Sequence, residues 1–308
     1  MVEFSVVIAV YNKENYIGKT LESVLGQTYT NFEVIVVNDG SKDNSEDVIL
    51  SFSDPRVKYY PQENTGAGAA RNAAISKATK PWIALLDADD IWYPDYLEEQ
   101  CRLIQKFPSE KVFATNSMIH RNGKFLNRNY SFELPKEDTL FNFFEASLRD
   151  SLLNSSLTVV YRDVLSEVNY YDTTIKSGQD TDLWVKIGLR YKVVFSPKVC
   201  GYYEINETSL FESARKVSEK TTFEAYEHLE KDNKPLKKFL DLNRYSICMI
   251  AKFEGNKEAF ENLYPKIDLN NLSLSQRILL KMNRPMLVLA KKTQQLLSRM
   301  GIRLSSFK

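Results

Sequence analysis

Asp87-Ala88-Asp89-Asp90 places three carboxylates within four residues, directly after the apolar run Trp82-Ile83-Ala84-Leu85-Leu86 and ahead of Pro94, where a helix is expected to open. A run of that length is expected to be a buried parallel strand. Its carboxylates then emerge at the carboxyl edge of an open α/β sheet, where ligands bind. Like charges this close repel one another, and partial enclosure strips their hydration, so a cation or a set of donors must compensate. A hard divalent ion, Mn²⁺ or Mg²⁺, held by one or two carboxylates plus substrate phosphates, meets that need. The alternative is an acidic turn that caps the next helix, since Asp is common at N-caps.

The elements that must position these groups read as an alternation. Phe4 to Val10 is a strand left by Tyr11-Asn12, and Glu14 to Gln27 carries Ile17, Leu21, Val24 and Leu25 on one helical stripe. Phe32 to Val37 is the second strand, ending in the turn signal Asn38-Asp39-Gly40-Ser41. Val48, Ile49 and Phe52 mark a helix, Val57 to Tyr60 a third strand, and Gly66 to Ala74 a small-residue helix that approaches the sheet closely before the strand at Trp82. Four such alternations imply right-handed crossovers and a parallel sheet. After a helix running to about Phe107 the rhythm changes. A strand is expected at Val112 to Ile119, a hairpin turn at Arg121 to Lys124, a helix at Leu140 to Leu148 and a strand at Leu157 to Tyr161. A short helix near Asp163, a helix from Gly178 to Leu189 and a strand at Val193 to Phe195 follow. From about Arg215 the chain reads as helical, punctuated by Pro235 and Pro265.

Composition excludes several classes. The chain has 308 residues, 43% hydrophobic and 26% charged, which describes an ordinary globular protein. Its three cysteines form no Cys-x-x-Cys pair, and its two histidines, His120 and His228, make a histidine-clustered zinc site or a Ser-His-Asp triad improbable. No apolar stretch reaches the ~20 residues that span a bilayer, and no signal-like segment precedes Phe4, so a cytoplasmic location is expected. No Gly-x-Gly-x-x-Gly follows the first strand, which disfavours a dehydrogenase. From Leu269 onward there are eight basic residues and no acid, leaving the rest of the chain net acidic. That asymmetry argues against nucleic-acid binding by the globular part and for an anionic partner at the tail.

Five stretches in order resemble the family-2 glycosyltransferases with the GT-A fold: Ser5 to Asn12, Val37 to Ser41, Asn64-Thr65-Gly66 with Ala70-Arg71-Asn72, Leu86 to Asp90, and Gln179-Asp180 followed by Leu183-Trp184. The resemblance covers roughly residues 3 to 210. It implies an α/β, Rossmann-like, mostly parallel central sheet with flanking helices, here with a C-terminal helical extension. The corresponding division is a catalytic domain over 1–214, with a nucleotide-sugar half at 1–107 and an acceptor half at 108–214, then a helical extension at 215–270 and a basic amphipathic tail at 271–308.

By that resemblance Tyr11 stacks on the nucleotide base, Asp39 accepts the base N–H, Arg71 reaches the nucleotide, Asp87 holds the ribose and Asp89 coordinates the metal. Asp90 is expected in a supporting or helix-capping place. Asp180 matches the general base, in a motif that usually reads Glu-Asp where this chain has Gln179-Asp180, with Asp182 as its nearest competitor. After Gly201-Tyr202-Tyr203 many relatives carry a basic residue or histidine that touches the diphosphate. Here Glu204 to Glu207 offers none, leaving Arg215 or Lys216 as substitutes.

The expected activity is therefore metal-dependent, inverting transfer from a UDP-linked sugar to a glycan or lipid-linked glycan acceptor. One base and no enzyme nucleophile imply a single displacement. The alternatives are a nucleotidyltransferase acting on sugar phosphates, which would need a Gly-rich phosphate loop after the first strand, and a non-catalytic, membrane-docked nucleotide-binding module. In the tail, Ile278, Leu279, Met282, Met286, Leu289, Leu296, Leu297 and Met300 accompany the basic residues. They suit either a helix packed on the catalytic domain or an amphipathic helix on an anionic membrane. The absence of acids favours the membrane, hence a peripheral place on its cytoplasmic face. Pro285 would kink or split that helix.

Overall fold

The structure, a computed structural model, describes residues 1–205 and 216–299, the side chains of 294–299 excepted. The chain divides into two compact units, Met1–Ser209 and Leu210–Lys308.

In the first unit β1 (Phe4–Val10), α1 (Ile17–Leu25), β2 (Phe32–Asp39), α2 (Ser45–Leu50), β3 (Val57–Gln62), α3 (Ala67–Lys77) and β4 (Trp82–Asp87) alternate as the apolar patterns predict. The strands line up as β3-β2-β1-β4, all parallel. Helices cover this sheet, so β1 and β2 are buried along nearly their whole length, which is why they read as continuous Val/Ile runs without alternation. The second half adds β5 (Ile91–Trp92), α4 (Tyr96–Lys106), β6 (Val112–Arg121), β7 (Lys124–Asn127), β8 (Thr139–Phe141), α5 (Phe143–Ala146), β9 (Thr158–Tyr161), α6 (Arg162–Glu167), α7 (Gln179–Gly188) and β10 (Val193–Ile205). β9 enters antiparallel between β4 and β6, and the sheet continues to β10, parallel to β6.

Three places differ from the sequence expectation. The helix expected over Leu140 to Leu148 shrinks to Phe143–Ala146, with Asn142 Oδ1 accepting from the amides of Phe144 and Glu145. Thr139–Phe141 instead pairs antiparallel with Val193–Phe195, where the Phe141 and Phe132 rings lie 4.4 Å apart and edge onto Phe195. Aromatic packing across strands overrides the helical reading there. The strand expected at Val193 to Phe195 runs on to Ile205, shifting register against β6 around Pro197. Its far end pairs with Ile91–Trp92, a strand the sequence did not announce. Gly201 permits this: a Cβ there would lie 2.5 Å from the Ile91 carbonyl oxygen. Pairing with β10 thus braces the segment that directly follows the acidic turn.

The second unit is helical. Asn233 caps Lys234–Glu254, whose first turn holds Pro235 and whose end is the left-handed Gly255. Inside it Arg244, fully buried, pairs with Glu230 at 2.5 Å and lies 3.7 Å from Asp241. Ser273 and Gln276 form a capping box for Leu274–Lys281, and a new helix, Arg284–Arg299, starts with Pro285 in its first turn. The tail is therefore split, as Pro285 predicts. Leu279, Leu280 and Leu287 are buried, while Leu274, Ile278, Met286, Val288 and Leu289 are exposed.

At the amino edge of the sheet Glu33 is 5% exposed and accepts hydrogen bonds from Ser5 Oγ (2.6 Å), Lys58 Nζ (2.6 Å) and the amide and hydroxyl of Thr79 (2.6 and 2.8 Å). Burial works against its charge, but these donors outweigh it and lower its pKa from 4.5 to about 2. Because the folded value is depressed, the stabilisation is present above the unfolded pKa and disappears as pH falls from 4.5 through 2. Glu33→Gln should therefore cost on the order of 2–3 kcal/mol near neutral pH and progressively less below pH ~4. Denaturant unfolding across that range checks it, and a pH-independent difference would refute the assignment.

Candidate functional site

The carboxyl ends of β1, β2 and β4 present Tyr11, Asp39 and Asp87 side by side. Tyr11 leaves β1 43% exposed. Asn12 takes a left-handed φ of 52° and ties two loops together: its amide donates to Ser41 Oγ at 3.1 Å and its Oδ1 accepts from Lys42 N at 2.8 Å. Asp39, 2% exposed, accepts from Gln62 Nε2 (2.7 Å), Thr65 N (2.9 Å), Thr65 Oγ1 (3.2 Å) and Gly66 N (2.9 Å). Its carboxylate thus shapes the loop that opens α3. This is more than the turn residue its neighbours suggest.

Arg71, on α3 and 9% exposed, is the joint of the site. Its Nη2 donates to Asp87 Oδ1 at 2.5 Å, and its Nη1 lies 3.3 Å from Asp180 Oδ1. The guanidinium sits 5.5 Å from the ring centroid of Tyr171. Burial opposes its charge, but Asp180 and Asp87 more than compensate, raising its pKa well above the usual arginine value. Burial likewise pushes Asp87 upward; Arg71 pulls the other way, and the nearby Asp180 adds to the rise. Asn72 locks the neighbouring loop, donating to the Tyr171 carbonyl at 2.9 Å and accepting from the Tyr171 amide at 3.1 Å.

Asp180 stands in the first turn of α7, which follows Gly178 at φ 90°. Asp182, two residues on, pairs with Lys186 at 2.7 Å and is 4% exposed. Of the two carboxylates, Asp180 is the one that meets the Asp87 cluster.

Asp89 receives Lys13 Nζ at 2.5 Å, with the two side chains 16% and 12% exposed. Asp90 is buried and accepts from Ser156 Oγ and, at 2.9 Å, from the Glu204 amide. Burial raises its pKa well above the usual carboxylate range, and the charges of Asp89 and Asp87 add to this. It fastens the acidic turn to β10 and does not cap α4, whose N-cap is Asp95. Beyond Tyr203, Glu204 Oε2 bonds His120 Nδ1 at 2.6 Å. Of the basic residues expected to substitute there, Lys216 belongs to the second unit and is exposed, and Arg215 lies outside the described residues.

Among the described residues no group of three or more His, Cys, Asp or Glu side chains is arranged to hold a metal. Mg²⁺ can be held by only one or two protein carboxylates, with substrate phosphates and water completing its shell. Asp89 fits such an ion, because its carboxylate already attracts a cation, the Lys13 ammonium. Sequence reading gave no site role to Lys13, Ser156 or Tyr171. Only Lys13 left a signal, as the one cation in the loop that leaves β1 toward three acids.

Residues 5–167 match the family model described as glycosyl transferase family 2. A putative glycosyltransferase, EpsH, from Bacillus subtilis is 31% identical over 84% of this chain and 80% of its own length. An uncharacterized glycosyltransferase from Rickettsia bellii is 36% identical over 59% of this chain, and the match spans 27% of that protein. The first 349 residues of S. aureus TarS, crystallised with UDP-GlcNAc, share the fold at TM-score 0.60 and 19% identity, covering 90% of this chain and 78% of that one.

Arg71→Met removes the cation that Asp87 and Asp180 share. Both carboxylates are about a third exposed, so water relieves part of the loss, and a destabilisation of about 1–3 kcal/mol is expected by urea unfolding. Paired with Asp180→Asn in a double-mutant cycle, it should show a coupling of about 0.5–1.5 kcal/mol; additive effects would mean the 3.3 Å pair carries no energy.

Proposed function

The chain belongs to glycosyl transferase family 2, and on that premise we propose that it moves a sugar from a UDP-linked donor to a hydroxyl of a glycan or lipid-linked glycan acceptor, by a single displacement with inversion. The observation that carries this reading is the Arg71 bridge, which brings Asp180, from beyond β9, to the edge where Asp39, Asp87 and Asp89 gather. The uridine donor is supported by the UDP-GlcNAc held by the TarS neighbour.

In this reading Tyr11 offers its ring to the uracil, Asp39 accepts the base N–H, Arg71 reaches the nucleotide and Asp87 holds the ribose. Asp89 would hold Mn²⁺ or Mg²⁺, whose charge offsets that growing on the departing diphosphate. The acceptor oxygen bonds to the anomeric carbon as the bond from that carbon to the β-phosphate oxygen breaks. The electron pair leaves with the diphosphate, and Asp180 takes the hydroxyl proton. Asp182, whose side chain is 6% exposed against 36% for Asp180, is poorly placed to compete.

Asp180→Asn should lower turnover of donor and acceptor by about 10²- to 10⁴-fold with UDP affinity nearly unchanged, and Asp182→Asn should cost far less. Asp89→Asn should abolish the tightening of UDP binding by Mn²⁺ in calorimetry. Swapped phenotypes for the two α7 mutants would move the base to Asp182. Equal UDP affinity with and without chelator in the unaltered protein would remove the metal from the reading.

No helix among the described residues is long and apolar enough to cross a membrane. The tail instead leaves Leu274, Ile278, Met286, Val288 and Leu289 exposed, the last two beside Arg284 and Lys292. The burial of Leu279, Leu280 and Leu287 uses part of its apolar surface for packing. The exposed remainder, in a segment without acids, supports docking on an anionic membrane as part of this proposal. With ~1 kcal/mol from each engaged basic residue, binding should weaken steeply with salt. Leu289→Glu should release the protein from phosphatidylserine vesicles in a sedimentation assay without changing its melting temperature. Unchanged vesicle binding would sink the membrane reading.

A further inference from the structure

Lys13 is held with more care than a surface lysine. Its carbonyl accepts from the amides of Tyr16 and Ile17, both at 2.9 Å, as the chain turns into α1. Its amide donates to Ser45 Oγ at 2.8 Å, and Ser45 is itself fixed by Asp43 Oδ1, which accepts its hydroxyl at 2.5 Å and its amide at 3.0 Å. The stem passes the Tyr16 ring, with Nζ 5.5 Å from its centroid, and ends on Asp89 Oδ2. The backbone is pinned at both polar groups, so the side chain's own rotation is the freedom left to the ammonium.

That ammonium lies on Asp89 Oδ2, on the carboxylate that the donor reading gives to a divalent ion. Two cations on one carboxylate repel, and in a partly enclosed site the repulsion is poorly screened. A nucleoside diphosphate reverses the balance, because its oxygens supply enough negative charge for both cations and offer the ammonium new acceptors within reach. We propose that Lys13 holds Asp89 while the site is empty, weakens the binding of a divalent ion until a nucleoside diphosphate arrives with it, and then turns to the diphosphate as its second cation. This rests on the donor reading given above. It also supplies the diphosphate contact that the acidic stretch after Tyr203 lacks.

The test follows Mn²⁺ by electron paramagnetic resonance in the full chain, in Lys13→Met and in Lys13→Arg, with and without UDP, and follows UDP and uridine by calorimetry at saturating Mn²⁺. Lys13→Gln, which keeps a neutral donor toward Asp89, serves where methionine disturbs the fold. Without nucleotide the uncharged variants should bind Mn²⁺ about 10-fold more tightly than the unaltered chain, and with Mn²⁺ they should bind UDP about 10-fold more weakly, the worth of one charge-assisted hydrogen bond. Uridine affinity should not move, and Lys13→Arg should resemble the unaltered chain. Equal Mn²⁺ affinity with and without the lysine charge overturns the inference, as does an equal loss of UDP and uridine binding. An unaltered chain that binds no UDP overturns the donor reading itself, and this inference with it.

Discussion

The ion pairs of Arg71 with Asp87 and Asp180 decide whether this site can exist. Acids crowd one sheet edge, and Asp87 and Asp90 lose hydration as the surrounding chain closes around them. A guanidinium that reaches Asp87 and Asp180 at once, with its fork of donors, offsets the repulsion in a way a single point charge could not. For Arg71 to lie this deep, α3 must run close to the start of α7. Around Gly68 the two segments come within van der Waals range, with Tyr171 Cβ 3.5 Å and Gln179 Cγ 3.8 Å from where a Cβ would stand. Asn72 then fixes the Tyr171 backbone from the same helix. One helix thus carries both the cation and the clamp.

Charge is sorted along the sheet in the same spirit. At the amino edge Glu33 is saturated by four donors and is strongly acidic. At the carboxyl edge Asp39 is likewise held by four donors, but burial pushes Asp87 and Asp90 the other way. The first arrangement stabilises a fold, whereas the second is poised to accept a cationic or hydrogen-bonding ligand. The two cations at that edge have different tasks: Arg71 is buried and shared, while Lys13 reaches one carboxylate from a tethered loop. Asp90 is withdrawn from this competition by Ser156 and the Glu204 amide, and it anchors β10 behind the acidic turn.

The alternation of β1 to β4 with their helices was legible in the sequence because each element is written locally, as an apolar run or a helical stripe bounded by turn residues. The place of Asp87 and Asp89 at the strand's end followed from the same local pattern, as did the family resemblance. So did the charge of the tail, which is a property of composition, and its break at Pro285, which is a property of one ring. Tertiary structure alone decided which cation meets which acid, because Arg71 and Asp180, or Lys13 and Asp89, are brought together by sheet order and helix docking that no local window contains. It decided that Thr139–Phe141 is a strand, since the partner is Val193–Phe195 and the rings that hold it come from distant segments. It decided that Ile91–Trp92 pairs with Gly201–Tyr202, through a missing Cβ whose meaning depends on what lies opposite. In the tail the apolar residues were countable from the sequence, but only packing separated the buried Leu279, Leu280 and Leu287 from the exposed Met286 and Leu289, because burial depends on the neighbour a face meets as well as on the face itself.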